Sequence, residues 1–265
     1  MSRPTTHPTA GSRPSAVSRP SPGAAGRPPR LEVDALTVAF GGLTALDDVG
    51  LTVGDGEVVA LIGPNGAGKT TVFNAVCGLV RPRSGRVRID GRPAPATSRL
   101  ADRGVSRTLQ GLGLFGGMTA AENVLVPLTG RPRRSADGER AVVAVLQRLD
   151  LLDLADTAVD ALPYPERKRV ALARALVTDP RLLLLDEPAG GLGADDIAAL
   201  ADVVRGIAAA GTSVLLVEHH VDFVMAVADR VVVLDFGRVV ACGTPDEVRS
   251  DAAVEAAYLG LEAAR

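Results

Sequence analysis

Apolar and polar positions begin to alternate at Leu31. Leu31 and Val33, then Leu36, Val38 and Phe40, predict an edge strand. Residues 46–53 and 57–62 read as two further strands around Asp55-Gly56, a hairpin turn signal. The second of these runs into a glycine-rich turn, and residues 70–79 follow with helical spacing. Residues 141–152 have one apolar face, with Arg148 on another, and residues 167–177 predict a second helix. Leu182-Leu183-Leu184-Leu185 is apolar without alternation, so residues 181–186 are expected inside a parallel sheet covered on both faces. Residues 213–217 and 230–234 are further strands, each after a helical stretch. Alternating strands and helices imply a three-layer α/β domain with a mostly parallel core sheet and an antiparallel β edge. Residues 111–178 carry no clear strand and are expected to form a helical subdomain, with polar residues 129–140 as a loop.

Composition sharpens this outline. Of the 265 residues 46 % are apolar, enough for one large core. No apolar run approaches the roughly 20 residues a membrane helix needs, so a link to a membrane must go through a partner. The formal net charge of −2 gives no general attraction to nucleic acid. Residues 1–30 differ from the rest: they hold five Arg and seven Pro but no acid, and they are expected to be a disordered tail ahead of a domain over 31–260. The two cysteines, Cys77 and Cys242, form no C-x-x-C pattern and read as buried thiols.

The candidate chemistry lies where strand meets helix. Gly63-Pro64-Asn65-Gly66-Ala67-Gly68-Lys69-Thr70 fits G-x-x-x-x-G-K-[ST], with Thr71 completing the loop. The glycines let backbone N–H groups converge on phosphates, and the following helix adds its dipole. Lys69 would reach the β- and γ-phosphates of ATP, and the Thr70 hydroxyl would ligate Mg²⁺. At the end of the apolar strand, Asp186 would enter the Mg²⁺ shell and Glu187 would face the attacking water. A strand ending in two solvated acids is common, and the phosphate loop upstream is what gives this pair a function.

These motifs place the chain among P-loop NTPases. Over roughly residues 31–260 it resembles the ATP-binding subunits of ABC transporters. The resemblance implies that Phe40 stacks on adenine, that Gln110 in Arg107-Thr108-Leu109-Gln110 senses Mg²⁺ and the membrane partner, and that His219 contacts the γ-phosphate; His220 is read as a helix-start residue. Several stretches resemble the branched-chain amino acid importers in particular: Phe40-Gly41-Gly42-Leu43-Thr44-Ala45-Leu46, Leu114-Phe115 with Met118-Thr119, Glu187-Pro188-Ala189-Gly190-Gly191-Leu192 and Ala256-Ala257-Tyr258-Leu259-Gly260. Urea and short-amide importers share these textures. The implied partners are transmembrane permease subunits, a second ATP-binding subunit (a paralogue or a second copy) and, indirectly, an extracytoplasmic solute-binding protein. The implied location is the cytoplasmic face of the plasma membrane.

One segment departs from the family pattern. The signature that closes over the opposite subunit's ATP usually reads Leu-Ser-Gly-Gly-Gln, and in this branch often Leu-Pro-Tyr-Gly. Here it is Leu162-Pro163-Tyr164-Pro165-Glu166. Pro165 stands where glycine is expected, which weakens the expectation of hydrolysis at the opposite site. Two other readings therefore stand beside the transport ATPase: a weakly hydrolysing regulatory subunit, and a non-transport ABC ATPase of translation or DNA repair. The second usually carries two cassettes or a long coiled coil, and the chain has neither.

Overall fold

The computed structural model describes residues 27–109, 111–129, 135–251 and 254. The described strands form two sheets. The first is antiparallel, in the order β2 (Leu43–Val53), β1 (Leu31–Phe40), β4 (Ser84–Ile89), β5 (Arg92–Pro93). The second has the order β10 (Arg238–Gly243), β9 (Arg230–Asp235), β3 (Val58–Ile62), β8 (Ser213–Val217), β7 (Leu182–Asp186), β6 (Val105–Arg107). Its pairs are parallel except β9–β10.

The central sheet is covered on both sides, and period 2 divides its side chains between two cores. Val58, Ala60 and Ile62 of β3, with Leu183 and Leu185 of β7, face a core shared with the helices. Val59 and Leu61, with Leu182 and Leu184, face a second core shared with the antiparallel sheet and α1 (Lys69–Val76). The three expected layers are therefore present.

Helices α2 (Ala120–Leu125), α3 (Ser135–Arg148) and α4 (Tyr164–Leu176) occupy the interval between β6 and β7. They lie in the stretch where the sequence places a helical subdomain. α5 (Ala194–Ala209), α6 (Val221–Val227) and α7 (Pro245–Arg249) complete the described helices.

Four expectations are corrected. β1 is no edge strand: it pairs with β2 on one side and β4 on the other. β2 and β3 are not a hairpin, because they belong to different sheets. The Asp55-Gly56 turn carries the chain between layers instead. Glu57 holds that crossing through Arg230, which donates from Nε to Oε1 at 2.8 Å and from Nη2 to Oε2 at 3.0 Å, and also to the Thr52 carbonyl at 2.7 Å. The expected loop over 129–140 gives way to helix from Ser135, with residues 130–134 outside the described set. The expected tail over 1–30 ends too late: Arg30 pairs with Asp55 and Asp90, so it belongs to the folded domain. Residues 1–26 lie outside the described set.

Candidate functional site

The carboxyl ends of β3, β8 and β7 lie side by side, which is where open α/β sheets place ligands. Val217, the last residue of β8, is in register with Leu61 on one side and Asp186 on the other. Three loops leave the sheet here: 63–68 into α1, 187–193 toward α5, and 218–220 into α6.

The first loop is shaped by its glycines. Gly63 has φ 148°, and a Cβ there would stand 2.0 Å from the Leu234 carbonyl oxygen. Gly68 has φ 105°, and its Cβ would meet the Ala45 oxygen at 2.9 Å. Neither position admits a side chain. Ala67 donates its N–H to the Pro64 carbonyl at 3.1 Å, and its own carbonyl accepts from Gly237 at 2.9 Å. Asn65 and Gly66 are exposed at the tip, and Pro64 is half-buried. α1 starts directly at Lys69, so the N–H groups of Lys69, Thr70 and Thr71 lack helical acceptors.

Lys69 is 92 % buried and donates to the carbonyls of Gly63 at 2.6 Å and Pro64 at 2.9 Å. Burial pushes its pKa down, and the nearby Glu187 carboxylate pulls it partly back. Thr70 is exposed on the first turn of α1. Asp186 ends β7, where its N–H donates to Thr108 Oγ1 at 3.2 Å. Its carboxyl pKa is raised, first by burial and then by Glu187; Arg107 opposes this, and Glu218 adds to it.

Glu187 has φ 47°, a left-handed conformation that costs a non-glycine residue roughly 1–2 kcal/mol. The next residue is Pro188, which normally drives its predecessor to extended backbone, so the position is doubly unfavourable. It is held by hydrogen bonds: its N–H donates to Val217 O at 2.9 Å, and its carbonyl accepts from Lys168 Nζ at 3.0 Å and from the Gly190 N–H at 3.2 Å. His219 Nδ1 lies 4.0 Å from Glu187 Oε1, and His220 is the N-cap residue of α6, as its helix-start reading requires. Phe40 is the last residue of β1 and 51 % exposed, so it is available to a flat ligand rather than committed to the core.

The structure therefore gathers Lys69, Asp186, Glu187 and His219 around one strand-end cleft. Gln110 lies outside the described residues. Its neighbour Thr108 donates its N–H to Leu184 O at 2.9 Å, which places the start of that loop beside the end of β7.

The signature segment opens α4. Leu162 is buried and extended (φ −81°, ψ 142°), Pro163 is the N-cap, and Tyr164, Pro165 and Glu166 are the first three helical residues. The helix starts at Tyr164, three residues before the sequence pattern places it, because the fixed φ of Pro165 suits a first turn. Tyr164 is helical although it precedes Pro165, which normally disfavours the helical region for its predecessor. Glu166 pairs with Arg169 through Oε1 at 2.9 Å, while its Oε2 is buried without a hydrogen bond.

Two residues of the cleft are not apparent from sequence reasoning. Glu218 is fully buried; Oε1 accepts from the Ala189 N–H at 2.6 Å, and Oε2 accepts from the N–H groups of His219 at 2.8 Å and His220 at 3.1 Å. With Glu218, His219 and His220 so close, the trio has the spacing of a cation site, but the carboxylate is already engaged as a clamp between the two loops. Lys168 is the other, tied to the backbone after Asp186.

A glycine-cradled loop and helix start, a buried lysine and an acidic strand end form the site of a P-loop ATPase. The family profile described as ABC transporter matches residues 46–190. The chain belongs to the ABC transporter family. It is an ATP-binding protein and an ATPase of that family, and a second profile, described as branched-chain amino acid ATP-binding cassette transporter, matches residues 238–264. Among relatives, the high-affinity branched-chain amino acid transport ATP-binding protein BraF of Pseudomonas aeruginosa is 40 % identical, covering 88 % of this chain and 98 % of its own. LivG of Escherichia coli, of the same description, is 36 % identical over the same shares. Among solved structures, the ADP conformation of an ATP-binding cassette of an ABC transporter superposes with a TM-score of 0.79 at 29 % identity, covering 88 % of this chain and 99 % of that one. No helix among the described residues is long and apolar enough to cross a membrane.

Proposed function

We propose that this ATPase powers the import of branched-chain amino acids or related small polar solutes, docked on transmembrane permease subunits at the cytoplasmic face of the membrane. The observation that carries the substrate class is that likeness to branched-chain transport subunits runs through 98 % of their length and includes the carboxyl-terminal segment at 238–264. A solute-binding protein outside the membrane would deliver the cargo.

The residues fit ATP with Mg²⁺. The cradle of Gly63 and Gly68 excludes side chains, Lys69 needs only to exchange two carbonyl acceptors for phosphate oxygens, and Asp186 and Thr70 offer oxygens beside it. Mg²⁺, when bound, neutralises phosphate charge. Phe40 stacks on adenine. Glu187 takes the proton of the attacking water, and His219 steadies the γ-phosphate from the neighbouring strand end. Gln110, in the loop after Thr108, connects the site to the permease. Exposed Leu109 and Phe115 flank that loop as an apolar docking face. Buried Asn123 shapes it, accepting from Phe115 N at 2.8 Å and donating to Phe115 O at 3.1 Å.

In the active assembly two ATPase subunits face each other, each completing its partner's site with the first turn of α4. Pro165 favours a second reading, in which the partner's site is slow and this subunit is partly regulatory. The test of transport is uptake into vesicles containing the subunit and its permeases. ATP-dependent leucine uptake is expected; uptake of urea or short amides without leucine overturns the substrate assignment.

A further inference from the structure

Lys168 is one of only two lysines in the chain, the other being Lys69. It sits on the second turn of α4, and its Nζ donates to the carbonyls of Glu187 at 3.0 Å and Pro188 at 2.7 Å. The same face of α4 makes further contacts with that loop. The Tyr164 hydroxyl is 3.5 Å from Gly190 O, and its ring lies so close to Gly191 that a Cβ there would stand 3.0 Å away. The Lys168 ammonium also lies 5.6 Å from the Tyr164 ring centre. Burial lowers the Lys168 pKa, with the Glu218 and Glu187 carboxylates drawing it back up.

The acceptors matter because of where they are. Glu187 holds a left-handed backbone ahead of a proline, and that backbone sets the direction in which its side chain leaves the strand end. A peptide in so strained a state stays put only while its neighbours fix it. Val217 fixes its N–H side; on its carbonyl side the Gly190 N–H holds it from within the same loop, and Lys168 holds it from α4.

We propose that Lys168 is a positioning residue, which holds the Glu187–Pro188 peptide from α4 and so couples the signature helix of this chain to its own hydrolytic carboxylate. The coupling rests on the reading of Glu187 as the base. A shift of α4 against the opposite ATP would then reach Glu187 through one ammonium and two carbonyls, without passing through the phosphate loop.

The experiment compares Lys168→Met and Lys168→Arg in the full-length chain, paired with whichever second ATPase subunit co-purifies, itself or a paralogue. Melting temperature, equilibrium binding of a fluorescent ATP analogue, and kcat and KM for phosphate release are measured. Lys168→Met is expected to lower kcat tenfold or more while analogue affinity and KM stay within twofold. Lys168→Arg, whose fork can bridge two carbonyls, is expected to restore kcat to within about threefold of wild type. If Lys168→Met does not fold, Lys168→Gln takes its place; failure of both to fold marks a packing residue and overturns the proposal. A kcat within twofold of wild type, or binding lost in step with turnover without rescue by arginine, also overturns it. Glu187→Gln is assayed alongside. If that variant turns over normally, the reading of Glu187 fails; if it is inactive while Lys168→Met is normal, only the coupling fails.

Discussion

His219 Nδ1 and Glu187 Oε1 stand 4.0 Å apart, although they follow different strands and are 32 positions apart in sequence. The adjacency comes from the parallel pairing of β7 with β8, which ends both strands at one level. On the proposed reading, the imidazole would face the γ-phosphate and the carboxylate its attacking water. Glu187→Gln retains the shape but cannot take a proton. Turnover should fall about 100-fold or more, with ATP binding retained. Phosphate release and gel filtration with ATP check this: a nucleotide-bound pair of subunits is expected to accumulate, and near-normal turnover removes Glu187 from the base role.

Lys69 gives a prediction of opposite sign for stability and binding. Its ammonium is buried at a cost, and burial lowers its pKa. Lys69→Met keeps the hydrophobic stem without the charge, so the nucleotide-free protein should melt no lower than wild type. Charge-assisted contacts to phosphate contribute about 1.5–3 kcal/mol each, so ATP should bind at least about tenfold more weakly. Thermal shift shows both: an unchanged or higher melting temperature without ATP, and a reduced rise on adding it. An undiminished rise with ATP would sink the assignment.

Asp186 predicts a pH dependence. Burial and Glu187 raise its carboxyl pKa in the folded protein, so the folded state holds that proton more tightly than the unfolded chain does. Stability is therefore highest below the unfolded-state pKa, and the penalty is complete above the raised folded-state pKa. Asp186→Asn removes the penalty. Without Mg²⁺ and nucleotide, at a pH above the folded-state pKa, it should melt about 2–4 °C higher for each kcal/mol relieved. The gain should vanish as pH falls through the folded-state pKa. The same variant should lose Mg²⁺-dependent turnover. Melting curves across pH with chelator decide it: a gain that grows toward acid has the wrong sign.

The parts of the fold that read from sequence were those that local chemistry determines. β7, β8 and β9 are apolar on both faces, and no loop or amphipathic helix has that composition. The glycine-lysine loop is legible for a similar reason, since its conformation requires those residue types. β4 was missed because only Val87 and Ile89 of its six residues are buried, between arginines. The Asp55-Gly56 turn was recognised but misassigned, since a local turn signal cannot tell which sheet the next strand joins; that choice depends on Arg230, far along the chain. Glu218 after an apolar strand looks like a solvated acid, and Lys168 between Arg167 and Arg169 looks like a solvated helix face. Their roles depend on the loop after β7 meeting α4 and the loop after β8, which no spacing rule encodes. The one sequence hint for Lys168 is its rarity, in a chain that otherwise uses arginine.

The first turn of α4 carries the last prediction. A helix start binds an anion through free N–H groups and a side-chain cap. Here the N-cap is Pro163, with neither hydroxyl nor N–H, and the second helical position is Pro165, again without N–H. Glu166 then places a carboxylate in the same turn, held by Arg169. The helix itself is intact, so the two prolines bear on anion binding and not on the fold. One missing donor to a charged group corresponds to about 1.5–3 kcal/mol, roughly a 10- to 150-fold effect on closure or the transition state. Paired with a paralogue bearing an intact signature, this subunit's own phosphate loop should hydrolyse ATP while the site facing Pro165 lags. Forced to pair with itself, the protein should be a poor ATPase, and Pro165→Gly should raise turnover at saturating ATP about tenfold or more. Adding Glu166→Gln should raise it further, by removing a negative charge from the approach of the γ-phosphate. Steady-state phosphate release by the purified self-paired protein is the measurement. Brisk wild-type turnover, changed less than about twofold by Pro165→Gly, would mean that a neighbouring N–H such as that of Tyr164 already serves the phosphate and that the two sites are equivalent.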